Sequence, residues 1–99
     1  MYSITNLNKL AHVGELVPET LNAFKAWDKL ALADGAIPKK YKELMAIAVA
    51  LSTQCPYCIE VHRQQAVDAG ATETELAETV QVAAALRAGG AITHGTHLF

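Results

Sequence analysis

Apolar residues recur at the three- and four-residue spacing of a helix along almost the whole chain. Alanine, the strongest helix former, is abundant, and β-branched runs of strand length are missing. The spacing predicts helices at about residues 4–16, 18–33, 38–52, 55–70 and from 72 past 86. We therefore predict an all-α, single-domain bundle of about five to six helices that spans residues 1–99.

Several helix ends are marked by local signals. Pro18 and Pro38 suit a first helical turn, where the missing N–H has no partner to lose. Thr72 with Glu75 three residues later forms the pattern of a capping box, in which each residue bonds the backbone of the other. Further on, Gly89-Gly90 is predicted to kink or end the fifth helix. The tail 91–99 then adds one more helical piece or a loose end.

The proportion of apolar residues is high for a chain of 99 residues, since 52% are apolar and 18% are charged. A domain of this size buries only roughly 60–70% of the surface that its unfolded chain exposes. We therefore expect part of the apolar surface to pack against another subunit. The alternative is a monomer with an alanine-rich interior. The stretch 44–51 is apolar on every side, which is typical of a buried helix.

The charge pattern argues against nucleic acid as a partner. The net charge is −2, and the densest basic group, Lys39, Lys40 and Lys42, is predicted to be the solvated start of the third helix. A membrane span is not expected either, because 44–51 is far shorter than the ~20 residues that a spanning helix needs. The N-terminus lacks a basic segment followed by an apolar one, so a cytoplasmic location is expected.

The candidate chemistry lies at the start of the fourth helix, in Cys55, Cys58 and His62. At the helical repeat of 100° per residue, these side chains fall within about 60° of one another around the axis. His62 is one turn beyond Cys58, so its ring could reach the sulfur directly or through a water molecule. Free N–H groups and the positive end of the helix dipole favour thiolate over thiol at such a position. The pattern therefore places a nucleophilic thiol beside a base.

A carboxylate could complete this site. Glu43 precedes the apolar stretch of the third helix, where a buried charge needs a partner. If the third and fourth helices pack antiparallel, Glu43 could approach His62 and orient its ring, as in other nucleophile–base–orienter triads. An exposed glutamate near a helix start is the alternative.

The two cysteines have other interpretations as well. They could be ordinary buried cysteines, a structural disulfide, or metal ligands. Zinc usually has four ligands, and the site supplies three, so His94 or His97 of the tail would have to complete the set. A module that binds metal or senses oxidants without turnover is therefore the main alternative to an enzyme. A ring-forming structural protein that kept the motif without the activity is a further one.

The full motif resembles that of a known family. It consists of Glu43, eleven residues, Cys55-Pro56-Tyr57-Cys58, three residues and His62. This pattern is similar to the core of the alkyl hydroperoxidase D-like group within the carboxymuconolactone decarboxylase family, and the resemblance extends over about residues 36–90. It implies an all-helical fold that assembles into dimers, trimers or hexamers, and a thiol-dependent peroxidase or disulfide reductase activity in antioxidant defence.

The resemblance also implies a role for each site residue. Cys58 would attack the peroxide and become a sulfenic acid, Cys55 would resolve it into a disulfide, and His62 and Glu43 would carry the proton. A thioredoxin-like, lipoyl or small-molecule thiol would restore the dithiol, and no bound cofactor is expected. One position departs from the family pattern, because Tyr57 stands where well-studied members have a second histidine.

Overall fold

The α-helices of this computed structural model, which describes residues 2–99, follow one another with short connections. They are α1 (Leu10–Leu16), α2 (Pro18–Ala31), α3 (Lys39–Thr53), α4 (Pro56–Asp68) and α5 (Glu73–His94). A 3₁₀ helix precedes α1 at Ile4–Lys9, and another follows α5 at Gly95–Leu98. The predicted all-α fold is confirmed.

Most helix ends lie within two residues of the predicted ones, because the local signals act as expected. Pro18 is the first residue of α2, and Pro38 immediately precedes α3 in an extended conformation. Thr72 and Glu75 form both hydrogen bonds of the predicted capping box at the start of α5. One prediction was wrong, because the segment 4–9 is a 3₁₀ helix rather than a continuous part of α1. Gly89-Gly90 lies inside α5 and does not end it.

Helix α3 is the centre of the bundle and packs against both α4 and α5. Its side chains Ile47 and Ala50 form the core with Ala66 of α4 and Ala83 of α5. An ion pair at 2.9 Å between Lys40 and Glu75 joins the first turns of α3 and α5. The hydrogen bond in this pair raises the pKa of the Lys40 ammonium and lowers that of the Glu75 carboxyl. The three helices α3, α4 and α5 therefore form one packed unit.

The apolar stretch 44–51 predicted a helix that is buried on every side. Helix α3 is instead exposed on one side. Met45 and Val49 are each more than half exposed, because α4 and α5 cover only part of the helix surface. An open groove with a volume of about 370 Å³ runs between α3 and α5, and its lining includes Tyr41, Met45 and Val82. We call it the α3–α5 groove.

Helix α2 stands apart from that unit. Within residues 2–99 it packs against α1 alone. Its apolar stripe, Phe24, Trp27 and Leu30, is consequently exposed, with Trp27 at 70% and Leu30 at 75%. We call this stripe the α2 face. Phe24 and Trp27 are therefore not part of the core of this chain.

The chain is therefore more extended than a closed monomer. Its radius of gyration is 16.3 Å, whereas about 13 Å is usual for 100 residues. Its accessible surface is 7417 Å², whereas a folded monomer of 10.6 kDa exposes about 5,500 Å² by the usual scaling. The excess of about 1,900 Å² reflects the separate α1–α2 hairpin and the open groove. No helix in residues 2–99 is both long and apolar enough to cross a membrane.

Candidate dithiol site

A tight connection between α3 and α4 brings the site residues together. Gln54 ends α3 in the left-handed conformation, with φ of 58°. The next N–H, of Cys55, bonds the carbonyl oxygen of Ala50 at 3.0 Å. The chain then turns directly into α4, which returns along α3. The first turn of α3 and the middle of α4 become neighbours for this reason.

The two cysteines are joined as a disulfide at the beginning of α4. Their Cα atoms are 5.4 Å apart, and both residues are partly exposed. Cys55 is the N-cap residue of α4, and its sulfur accepts a hydrogen bond of 3.3 Å from the backbone N–H of Cys58. Pro56 is the first residue of α4. The sulfurs therefore lie where helical N–H groups and the helix dipole stabilise negative charge.

Glu43 is fully buried and meets His62, which confirms the predicted contact. Its Oε2 lies 2.6 Å from Nδ1 of His62, whose side chain is 17% exposed. The antiparallel return of α4 produces this contact between residues 19 positions apart. An ionised carboxylate can only accept hydrogen bonds, so with Glu43 ionised it is Nδ1 of His62 that carries the proton and donates the bond. The other ring nitrogen, Nε2, is then left as a proton acceptor.

No hydrogen bond joins the ring of His62 to either sulfur in the disulfide form, within the described residues. The sulfurs of a disulfide carry no proton to share, so this is the state in which such a bond has least reason to form. The site thus combines a buried carboxylate on α3 with an oriented imidazole on α4. The imidazole lies one helical turn beyond Cys58 of the cysteine pair.

Lys39 is a further member of the cluster that the sequence analysis missed. Its Nζ is 2.9 Å from Oε1 of Glu43, so both oxygens of this carboxylate are paired. The same ammonium lies 3.4 Å from the carbonyl oxygen of Leu32, just after α2. The interpretation of the lysine cluster as a solvated helix start was therefore wrong for Lys39. The four-residue spacing between Lys39 and Glu43 was the signal that could have found the pair.

The N-terminal segment packs against Tyr57, inside the cysteine motif. The side-chain amide of Asn6 donates a hydrogen bond of 2.9 Å to the Tyr57 hydroxyl. The rings of Tyr2 and Tyr57 meet edge to face with their centroids 4.8 Å apart. The Tyr2 hydroxyl also donates to Glu60 on α4, and this bond raises the pKa of Tyr2 to about 12. Glu60 is exposed, and this hydrogen bond holds Tyr2 against α4.

The two histidines of the tail lie beside each other, with ring centroids 5.8 Å apart. Neither makes a hydrogen bond to Cys55, Cys58 or His62. Residues 2–99 contain no group of three or more histidine, cysteine, aspartate or glutamate side chains arranged to hold a metal ion.

Comparison with known proteins identifies the family to which this arrangement is similar. The model of the carboxymuconolactone decarboxylase family matches residues 18–99. A solved structure of a carboxymuconolactone decarboxylase family protein from Legionella pneumophila superimposes with a TM-score of 0.80. It is 37% identical, and the match covers 94% of this chain and 85% of that one. A protein from Methanobacterium thermoautotrophicum also gives a TM-score of 0.80, at 34% identity, with 86% of this chain and 96% of that one covered.

Two further proteins are similar to this chain in sequence. An uncharacterized protein of the cox locus of Paracoccus denitrificans is 49% identical over 73 residues, which are 74% of this chain and 66% of that protein. The chain thus spans slightly less than two thirds of the length of that relative. An alkyl hydroperoxide reductase of Mycobacterium tuberculosis is 42% identical over 43 residues, which are 43% of this chain and 12% of that protein.

Proposed function

The chain belongs to the carboxymuconolactone decarboxylase family, and we propose that it is a thiol-dependent oxidoreductase that reduces a peroxide or a disulfide. The observation that carries this proposal is the partly exposed Cys55–Cys58 pair at a helix N-terminus, next to the buried Glu43–His62 contact. The similarity to a part of an alkyl hydroperoxide reductase supports the peroxide branch.

The reaction begins when a thiol reductant supplies two electrons and converts the Cys55–Cys58 disulfide into the dithiol. The thiolate of Cys58 then attacks the terminal oxygen of a hydroperoxide and breaks the O–O bond. The alkoxide or hydroxide that leaves takes up a proton, and Cys58 becomes a sulfenic acid. Cys55 attacks the sulfur of Cys58, water leaves, and the disulfide is restored. One peroxide is reduced and two thiols are oxidised in each cycle.

His62 and Glu43 serve as the base and its orienting group in this proposal. In the dithiol form, Nε2 of His62 accepts the proton of Cys58, either directly or through a water molecule, and returns it to the leaving oxygen. Glu43 holds Nδ1 and stabilises the imidazolium that forms, which is the role of a carboxylate in other triads. The burial of Glu43 keeps water from competing for this contact.

The two sulfurs hold both electrons of the reaction, so no bound cofactor is required. The reductant is then a thioredoxin-like, lipoyl or small-molecule thiol, because thiol–disulfide exchange needs an attacking thiolate. We place the reaction in the cytoplasm, where such reductants keep protein thiols reduced. With a disulfide as substrate, the same dithiol forms a mixed disulfide at Cys58, which Cys55 then releases.

A coupled turnover assay tests this function. The protein is supplied with dithiothreitol and with hydrogen peroxide, cumene hydroperoxide or a small disulfide in turn, and substrate loss is measured over many equivalents of protein. Loss of many equivalents of at least one substrate supports an enzyme. Oxidation of one equivalent followed by no recycling supports a redox sensor and contradicts the proposal.

We further propose that the chain works as a homo-oligomer in which the α2 face of one copy fills the α3–α5 groove of another. The two surfaces are apolar, exposed and separated within one chain. A standard interface buries about 800 Å² per partner. The surface excess of about 1,900 Å² therefore corresponds to about two such contacts per chain. Large exposed apolar patches are uncommon in soluble monomers.

Replacing Trp27 with Lys is expected to reduce the assembly to monomers, because it puts a charge at the centre of the α2 face. Size-exclusion chromatography with light scattering measures the mass of the wild type and of the variant. A matched control is Lys25→Ala, which changes an exposed residue on another side of α2. Trp27 is the single tryptophan of the chain, so its fluorescence should shift to longer wavelength as the wild type is diluted. A monomeric wild type at all concentrations would contradict the assembly.

A further inference from the structure

Three charged or polar groups form a continuous chain through the bundle. The ammonium of Lys39 is 2.9 Å from Glu43, and Glu43 is 2.6 Å from His62. The exposed fraction falls along this row of side chains, from 40% for Lys39 to zero for Glu43. Glu43 is also the largest side chain of the described residues that is completely buried.

We propose that Lys39 is a positioning residue of the dithiol site, which fixes the tautomer of His62 by keeping Glu43 ionised. This inference deepens the proposed function and rests on it, because the tautomer matters for turnover only if His62 is the base. Lys39 touches neither sulfur. It acts through Glu43, and Glu43 acts through Nδ1 of His62.

The argument depends on which group carries the proton between Glu43 and His62. An ionised Glu43 accepts from Nδ1, so Nε2 is bare and able to take the proton of a thiol. A buried carboxylate without a cation nearby is costly, and such a group becomes neutral instead. A Glu43 that took up a proton from water would donate it to Nδ1, and the ring would then carry its own proton on Nε2. The ring could then no longer accept a proton from the dithiol side.

Lys39 is the lysine that the structure pairs with this carboxylate. Two shallow clefts of about 250 and 380 Å³ border Lys39, lined on the α4 side by Gln65 and Asp68 and on the α2 side by Asp28 and Lys29. Asp68 accepts a hydrogen bond from Gln64. The hydrogen-bonded acceptors of the Lys39 ammonium are Glu43 and the carbonyl oxygen of Leu32, whose position at the end of α2 suits a cation.

The position of Lys39 is also unusual for a lysine, since it is the first residue of α3. The positive end of the helix dipole disfavours a cation there. A lysine at this point is therefore explained by its partner rather than by the helix. Lys40 provides a natural comparison, because it forms an ion pair of the same length, 2.9 Å, with Glu75 of α5. Its partner is therefore neither Glu43 nor His62.

The test combines two readouts on Lys39→Met, Lys39→Arg and the control Lys40→Met. The first is the single-turnover rate of oxidation of the reduced protein by hydrogen peroxide, measured against pH. The second is the tautomer of His62, read from the nitrogen NMR shifts of the imidazole and assigned with a His62→Gln variant. The tautomer is measured without turnover, so it decides the role of Lys39 even if the wild type does not react with peroxide.

Lys39→Met is expected to lower the rate at neutral pH at least about tenfold, since a general base contributes roughly 10²–10⁴-fold. It should also move the ring proton of His62 from Nδ1 to Nε2. Lys39→Arg should restore both, and Lys40→Met should leave both unchanged. An Nε2–H tautomer in the wild type would overturn the proposal, as would a Lys39→Met variant that keeps the Nδ1–H tautomer. If Lys39→Met does not fold, the wild-type spectrum still tests whether the ring proton of His62 lies on Nδ1.

Discussion

Replacing Cys58 with Ser is expected to abolish peroxide turnover completely, whereas Cys55→Ser should leave one oxidation event per chain. The two cysteines differ in position. Cys58 lies one helical turn before His62, the proposed base, and Cys55 caps the helix and faces the sulfur of Cys58. A serine hydroxyl at position 58 ionises far too weakly to attack a peroxide. With serine at position 55, the thiolate of Cys58 is oxidised once to a sulfenic acid that nothing within the chain resolves.

Single-turnover mass spectrometry of the two variants after one equivalent of hydrogen peroxide measures this difference. Cys55→Ser should gain one oxygen atom, and Cys58→Ser should stay unmodified on the same timescale. The double variant is the control for oxidation elsewhere, including the two methionines. Equal reactivity of the two single variants would contradict the assignment of Cys58 as the nucleophile.

The second large effect is expected for Glu43→Gln, which keeps the size of the side chain and removes its charge. His62 loses the acceptor that fixes Nδ1–H, and the imidazolium formed during the reaction loses its counter-ion. We expect the single-turnover rate to fall by roughly 10²–10⁴-fold, the usual contribution of general acid–base catalysis. Lys39 is partly exposed and can turn to water, so the fold should survive. The free energy of unfolding should fall by about 1–3 kcal/mol, the usual cost of a buried polar group with imperfect partners.

Glu75→Gln is the matched control for this variant, because Glu75 also pairs with a lysine of α3 at 2.9 Å and lies away from the dithiol. Peroxide kinetics and urea unfolding of the two variants separate chemistry from stability. A Glu43→Gln variant that reacts as fast as the Glu75→Gln variant would remove Glu43 from the relay.

Much of the fold was predictable because its signals are local. Each helix-end signal acts on the turn that contains it, as at Pro18, Pro38 and the Thr72–Glu75 capping box. These helix ends could therefore be predicted without knowledge of the partner helices. The contact between Glu43 and His62 was predicted on the condition that α3 and α4 pack antiparallel, because Glu43 is a charge beside an apolar stretch. A buried carboxylate needs a partner, and the antiparallel return of α4 offers one.

The features that were missed depend on what packs against what. The uniformly apolar stretch 44–51 could not reveal that α4 and α5 would leave Met45 and Val49 exposed. Helix α2 has the apolar stripe of an ordinary core helix. Its separation from α3 depends on the tertiary structure, so the sequence pattern of α2 could not predict it. Lys39 was legible in principle as an i, i+4 partner of Glu43. A charge cluster at a helix start nevertheless has the same appearance whether it is solvated or paired.

The approach of the N-terminal segment to Tyr57 had no sequence signal at all. Asn6 and Tyr57 are 51 positions apart, and their hydrogen bond depends on how the first 3₁₀ helix lies against α4. The phenol of Tyr57 is occupied by this contact, so Tyr57 takes part in the packing of the N-terminal segment against α4.

Ultraviolet absorbance of the thiolate against pH, on the reduced wild type and on each single Cys→Ser variant, tests the central claim most directly. A free cysteine has a pKa of about 8.5. The account predicts that one thiol of the wild type ionises well below that value, and that this signal disappears in Cys58→Ser. Two thiols that both ionise as free cysteines would contradict the claim that the start of α4 and His62 activate a nucleophile.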